Sequence, residues 1–126
     1  MKAEDLLSGQ IIEAAIEVHR RTGPGLLESV YEHCLCVELD RCGLKFERQV
    51  PLAFMYKGIK LHCGYRLDLV VDKLVILELK AVQQVLPIHQ AQLLTYLRLS
   101  GIRLGIILNF NEILIKNGIK RVVNGL

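Results

Sequence analysis

No stretch of this 126-residue chain holds about twenty consecutive apolar residues, so nothing in it reads as a membrane-spanning helix. Met1-Lys2-Ala3-Glu4-Asp5 runs straight into amphipathic sequence, without the apolar stretch and small-residue cleavage site of a signal peptide, and the expectation is a cytoplasmic protein. Aromatic residues are few: no tryptophan, four tyrosines and three phenylalanines. Nothing resembles a helix-turn-helix, a zinc finger or an aromatic-rich RNA platform, so base-specific reading by a dedicated module is not expected. Linkers, repeats and low-complexity tracts are also missing. That leaves one domain over residues 1–126, long enough to bury roughly two-thirds of its unfolded surface. Nor is the charge one-sided. Sixteen basic against thirteen acidic residues give +3, too mild for a pure nucleic-acid binder, so any polyanion contact has to be local.

The four cysteines, Cys34, Cys36, Cys42 and Cys63, lack a secretory context, which argues against a disulfide framework. A zinc site from His33, Cys34, Cys36, His62 and Cys63 would have no CxxC pair, and Cys34 and Cys36 diverge on a helix. The thiols read as small apolar core fillers.

Apolar residues recur at helical spacing from Asp5 to Arg21, through Leu7, Ile11, Ala14, Ala15 and Val18. Thr22-Gly23-Pro24-Gly25 breaks that helix, and a second runs from about Leu26 to Cys42 before Gly43 stops it. Strands are predicted over Phe46–Met55, Ile59–Tyr65, Leu67–Val71 and Leu74–Leu79, with Pro51 marking an edge or a bulge. Pro87 opens a helix that Gly101 closes, Arg103–Phe110 reads as a strand covered on both faces, and Asn117-Gly118 turns into a short strand, Ile119–Val123. The fold class is therefore α/β, a mixed sheet with helices on both faces.

Charge inside one of these strands needs a reason. Leu74-Val75-Ile76-Leu77-Glu78-Leu79-Lys80 is apolar apart from Glu78 and Lys80, and each charge costs several kcal/mol there unless paired, hydrated or bound to a cation. The two are two residues apart and so project from one strand face. A second acid on that face would make a divalent-metal site with an ammonium beside it, and Asp68, ten residues before Glu78, is the candidate. Sharing a face requires an odd-numbered connection between the strands, most simply Val71-Asp72-Lys73 with Val70 opposite Leu74, or else a bulge.

An acid followed by acid-x-lysine, within this order of helices and strands, resembles the PD-(D/E)XK nuclease superfamily, although Leu67 stands where its name has proline. Gly25-Leu26-Leu27-Glu28-Ser29-Val30-Tyr31 resembles the motif of the GxxExxY family within it. The resemblance spans nearly the whole chain. It implies a restriction-endonuclease-like αβββαβ core and a metal-dependent phosphodiester hydrolase acting on DNA ahead of RNA. By the same resemblance Asp68, Glu78 and the Leu79 carbonyl would hold Mg²⁺ or Mn²⁺, hard cations that favour oxygen ligands. Lys80 would orient or help deprotonate the attacking water, or stabilise charge on the phosphate, and Glu28 would face the metal site.

Gln92 and Tyr96 are helix neighbours, and Gln-x-x-x-Tyr resembles a further motif of the exonuclease-like branch that would meet substrate phosphate, with His89 in reach of the same pocket. Tyr31 is expected to pack with its hydroxyl bonded, Glu32 to be a solvated helix residue, and His19 to sit at a helix C-terminus as favourable charge. The small size and modest charge point to a homodimer or a protein partner for substrate capture. Two rival readings keep the same fold: a catalytically idle module binding nucleic acid or a partner, and an enzyme acting on a small phosphorylated molecule.

Overall fold

The computed structural model describes residues 2–126. Two helices, α1 (Ala3–Thr22) and α2 (Glu28–Arg41), precede strands β1 (Phe46–Tyr56), β2 (Ile59–Val71) and β3 (Val75–Lys80). Then come α3 (Pro87–Ser100), β4 (Leu104–Asn109), a 3₁₀ turn at Ile115–Gly118 and β5 (Ile119–Val123). The strands lie in chain order across one sheet, with β3 and β4 parallel and the other neighbours antiparallel. A parallel pair needs a crossover, and α3 supplies it. Pro87 starts α3 where no backbone donor is needed, and Gly101, at φ 77°, ends it in the left-handed region. No helix among the described residues is long and apolar enough to cross a membrane.

Period-two alternation distributes side chains between two cores. Val75, Leu77 and Leu79 of β3, with Leu104, Ile106 and Leu108 of β4, pack under α1 and α2. Ile76 and Ile107 point the other way, into a smaller core with Leu93, Tyr96 and Leu97 of α3. Both faces of β3 and β4 are covered, which is why these strands read as continuous apolar runs. A side chain at Gly105 would run into Leu93, so the absence of a Cβ there lets α3 sit close to the sheet.

Three sequence-based expectations need correction. β2 is one continuous strand where two were expected, because antiparallel pairing with β1 carries it through. Cys42 and Cys63 are exposed and Cys34 is half-buried, so only Cys36 is a buried core filler; all four thiols are free. His19 is buried, with its Nε2 2.7 Å from the Glu112 carbonyl, and so ties α1 to the segment after β4. Asn117-Gly118 leads into β5 as expected, as the end of a 3₁₀ turn, and Gly118 is required there because a Cβ would strike the Asn109 carbonyl.

That carbonyl belongs to backbone with no room to move, so Gly118→Ala is expected to cost about 1–3 kcal/mol in urea unfolding. Wild-type stability in the variant would show that the approach is not tight.

Candidate active site

The β2–β3 connection decides whether Asp68 and Glu78 can meet. Asp72 and Lys73 take left-handed φ angles of 51° and 58°, the Leu74 N–H donates to the Val71 carbonyl at 3.0 Å, and Val71 pairs with Val75. The connection is therefore odd, as required. It lies one residue later than Val71-Asp72-Lys73, and Val70 faces Ile76, where Leu74 was expected. Two consecutive left-handed residues make a tight turn whose twist suits a hairpin, and Leu74 becomes the extra residue. Continuing this register brings Asp68 opposite Glu78.

Regular pairing stops just short of that point, at Leu69–Leu77. Beyond it the Asp68 carboxylate takes over: Oδ2 accepts a hydrogen bond from the Leu79 N–H at 2.8 Å. The alternation of faces also breaks here, since Leu67 and Val70, three residues apart, both pack into the α3-side core. Next to this break on β1, Gln49 adopts φ 50°, and Arg48 and Gln49 in succession both reach Glu32 on α2. Left-handed backbone at a non-glycine residue twists the ribbon and lets β2 swing away from β3. The opening between the strands is where the acids lie.

Glu78 is only 8% exposed, and its Oε1 is buried without a hydrogen-bond partner. Burial, and then the charge on Asp68, push its carboxyl up to about 8. Asp68 is raised by burial as well, partly relieved by the Leu79 N–H, with Glu32 adding repulsion. An orphaned buried carboxylate oxygen costs roughly 1–3 kcal/mol and calls for a ligand. Lys80, half-buried, ends the same strand, with its backbone carbonyl accepting from the Phe110 N–H at 2.9 Å. Among the described residues no group of three or more His, Cys, Asp and Glu side chains is arranged to hold a metal ion. The donors on hand are two carboxylates and nearby carbonyls, which suits a hard cation that keeps several of its waters.

α2 brings in a further acid. Glu28, in its first turn, accepts a hydrogen bond from the Ala81 N–H at 3.3 Å, directly after Lys80. Tyr31 is fully buried, stacks on Phe110 with centroids 4.5 Å apart, donates to the Gly23 carbonyl at 2.7 Å and accepts from the Leu26 N–H at 3.1 Å. It fixes the loop that presents Glu28. Glu32 is buried, contrary to the expectation of a solvated residue, because Arg48 at 2.8 Å and Gln49 at 2.7 Å bind its two oxygens.

On the α3 side Tyr96 is buried, and burial followed by the Glu78 charge pushes its phenol up to about 12. Gln92 stays exposed one turn earlier. His89 Nδ1 accepts from the Leu86 N–H at 3.0 Å, which makes this ring part of the α3 cap. The structure thus gathers Asp68, Glu78, Leu79, Lys80 and Glu28 at the end of β3 with Tyr96 beside them, while Gln92 is exposed and His89 is engaged in the α3 cap.

Sequence reasoning missed Asn109. Fully buried beside Lys80 in the parallel ladder, it accepts from the Val82 N–H at 3.1 Å and donates to the Val82 carbonyl at 2.9 Å. It clamps the chain just after Lys80. Its signal was an amide closing an otherwise apolar strand.

Acids on two strands that part at their ends, a lysine two residues after the second acid, and helices on both sides define a restriction-endonuclease-like αβββαβ domain. The model of the PD-(D/E)XK nuclease superfamily matches residues 5–122, and the chain belongs to that superfamily. No curated protein and no solved structure matches.

The raised Glu78 carboxyl gives a pH signature. Above its ordinary value of 4.5, folded Glu78 keeps a proton that the unfolded chain releases. The resulting stability is fully present below pH 4.5 and is lost as pH rises through about 8. Denaturant unfolding in EDTA should show stability falling across this window, with a shallower fall in Glu78→Gln. Equal pH slopes in the two proteins would remove the basis for a strained carboxyl.

Proposed function

We propose that the chain is a Mg²⁺- or Mn²⁺-dependent nuclease of the GxxExxY type, hydrolysing phosphodiesters of DNA ahead of RNA in the cytoplasm. One observation carries this reading: Glu78 Oε1 is buried and unpartnered across from Asp68, two residues before a lysine. A partner that compensates a buried and a half-buried carboxylate at once is a cation.

Asp68, through the oxygen not bonded to Leu79, Glu78 and the Leu79 carbonyl would hold the ion. When bound, it supplies polarisation of a phosphoryl oxygen and a more acidic water. The protein's own residues do the rest. The Leu79 N–H holds Asp68 in place, and burial limits Glu78 to few orientations. Lys80 orients the attacking water and neutralises charge that develops on phosphorus oxygens. Glu28, braced by the Ala81 N–H, takes up protons or water on the α2 side of the cavity. Tyr96 closes the α3 side, while Gln92 and His89, one and two turns earlier, meet the substrate. A second copy or a protein partner would extend the surface that captures nucleic acid.

Lys80 acts on the transition state more than on bound substrate. Lys80→Ala should therefore lower cleavage by about 10²-fold or more with binding within a few-fold of wild type. Glu78→Ala should abolish metal-dependent cleavage. The assay is a panel of single- and double-stranded DNA and RNA with Mg²⁺ or Mn²⁺. Wild type that binds but never cuts with either ion would replace this reading with the idle nucleic-acid-binding module.

A further inference from the structure

Beyond the twist at Gln49 and Asp68, β1 and β2 continue as a two-stranded ribbon with two unlike faces. Val50 pairs with Leu67, Leu52 with Tyr65, Phe54 with Leu61 and Tyr56 with Ile59, so one face is apolar along its length. The base of that face packs against α3, and Phe54, Tyr65 and Tyr96 form a series of ring contacts with centroids 6.4 and 5.8 Å apart. The opposite face pairs Pro51 with Arg66 and Met55 with Lys60. Between these pairs β2 bulges around Gly64, at φ 79°, next to His62. Ala53, Lys60, His62, Gly64 and Arg66 help line a hollow of about 420 Å³ on this face.

Charge is concentrated in the ribbon. From Arg48 to Leu67 the chain carries four of its sixteen Lys and Arg residues and no acid, leaving twelve against all thirteen acids elsewhere. The net positive charge of the protein thus resides in this one element. Arg48 is engaged by Glu32, whereas Lys57, Lys60 and Arg66 make no ion pair among the described residues. Arg66 is two residues from Asp68, so the basic face leads directly into the opening between β2 and β3.

We propose that this basic face binds the sugar-phosphate backbone of double-stranded DNA and guides it to Asp68 and Glu78, an inference that rests on the nuclease reading. Single-strand binders interleave basic residues with aromatic stacking platforms. Here the paired aromatics lie on the other face, with Lys57 at the tip 5.7 Å from the Tyr56 ring centroid, and the basic face sets Lys60 and Arg66 among Pro51, Ala53 and Met55. From Gln49, opposite Asp68, to the tip at Lys57-Gly58 the unbulged strand β1 extends about 26 Å, most of one turn of duplex. Cations spread over that length can follow a phosphate backbone, and the bulge supplies a recess for one phosphate between Lys60 and Arg66.

The test measures binding of a 20-base-pair duplex and of its single strands by fluorescence anisotropy in EDTA, at several salt concentrations. The proteins are wild type, Lys57→Gln/Lys60→Gln/Arg66→Gln and a control, Lys116→Gln/Lys120→Gln. All substituted side chains are exposed, and thermal unfolding verifies that the variants fold. Expected is a loss of duplex affinity of about tenfold or more in the ribbon variant, with the salt slope reduced by about two to three. The control should change less than about twofold. Wild-type affinity and slope in the ribbon variant, preference of the wild type for single strands, or no duplex binding by wild type at low salt would each overturn the proposal. Cleavage separates this from the nuclease reading. Ribbon-dependent binding without cleavage by wild type leaves the ribbon assignment standing and sinks the nuclease. Cleavage lost in Glu78→Gln but unchanged in the ribbon variant does the reverse.

Discussion

Two carboxylates, buried Glu78 and half-buried Asp68, are held within reach of each other, and much of the local architecture exists to keep them there. Unaided, such a pair disfavours folding: each is desolvated, and the charge on Asp68 adds to the proton affinity of Glu78. The chain compensates Asp68 with a backbone N–H and leaves one oxygen of Glu78 with nothing. A fold does not keep an orphaned acid in its interior for stability, since an apolar residue of similar volume would serve better. Under the proposed function the strain is preorganisation for a cation, which would convert a repulsive pair into a ligand set.

Everything that positions the pair is a departure from regular structure. The turn at Asp72-Lys73-Leu74 must be odd for the acids to face each other, and its two left-handed residues set that count. The left-handed Gln49 twists the ribbon, so that β2 leaves β3 where Asp68 needs room. On the far side Asn109 and Gly118 fix the chain beyond Lys80, one by hydrogen bonds and the other by having no side chain. Tyr31 does the same for the loop that carries Glu28. The regular elements supply rigidity, and their irregular junctions aim the side chains.

Much of this was legible in the residues. Helical spacing, Pro87 and Gly101 located the helices, and the apolar runs of β3 and β4 announced strands covered on both faces. Glu78 and Lys80 stood out because charge in such a run demands compensation. What stayed hidden depends on partners distant in the chain. Glu32 looked solvated because its helix position is ordinary; Arg48 and Gln49, which bury it, come from a strand sixteen and seventeen residues later. His19 is buried by a carbonyl 93 residues away. The β2–β3 turn was misplaced by one residue because local sequence does not reveal which residues will accept left-handed φ. Parity, in contrast, followed from the requirement that the acids share a site.

Uneven electrostatics complement this geometry. The acids cluster at the sheet end while the excess of positive charge lies on the adjoining ribbon, an arrangement suited to bringing a polyanion to a cation held by carboxylates. Calorimetric titration of Mg²⁺ or Mn²⁺ near pH 7, in buffers of different ionisation enthalpy, tests for that cation most directly. With Glu78 protonated up to about 8, binding should engage one ion per chain and release most of a proton, and Glu78→Gln should lose both the affinity and the release. No binding at millimolar metal, or binding that neither releases protons nor weakens in Glu78→Gln, would contradict the proposed site.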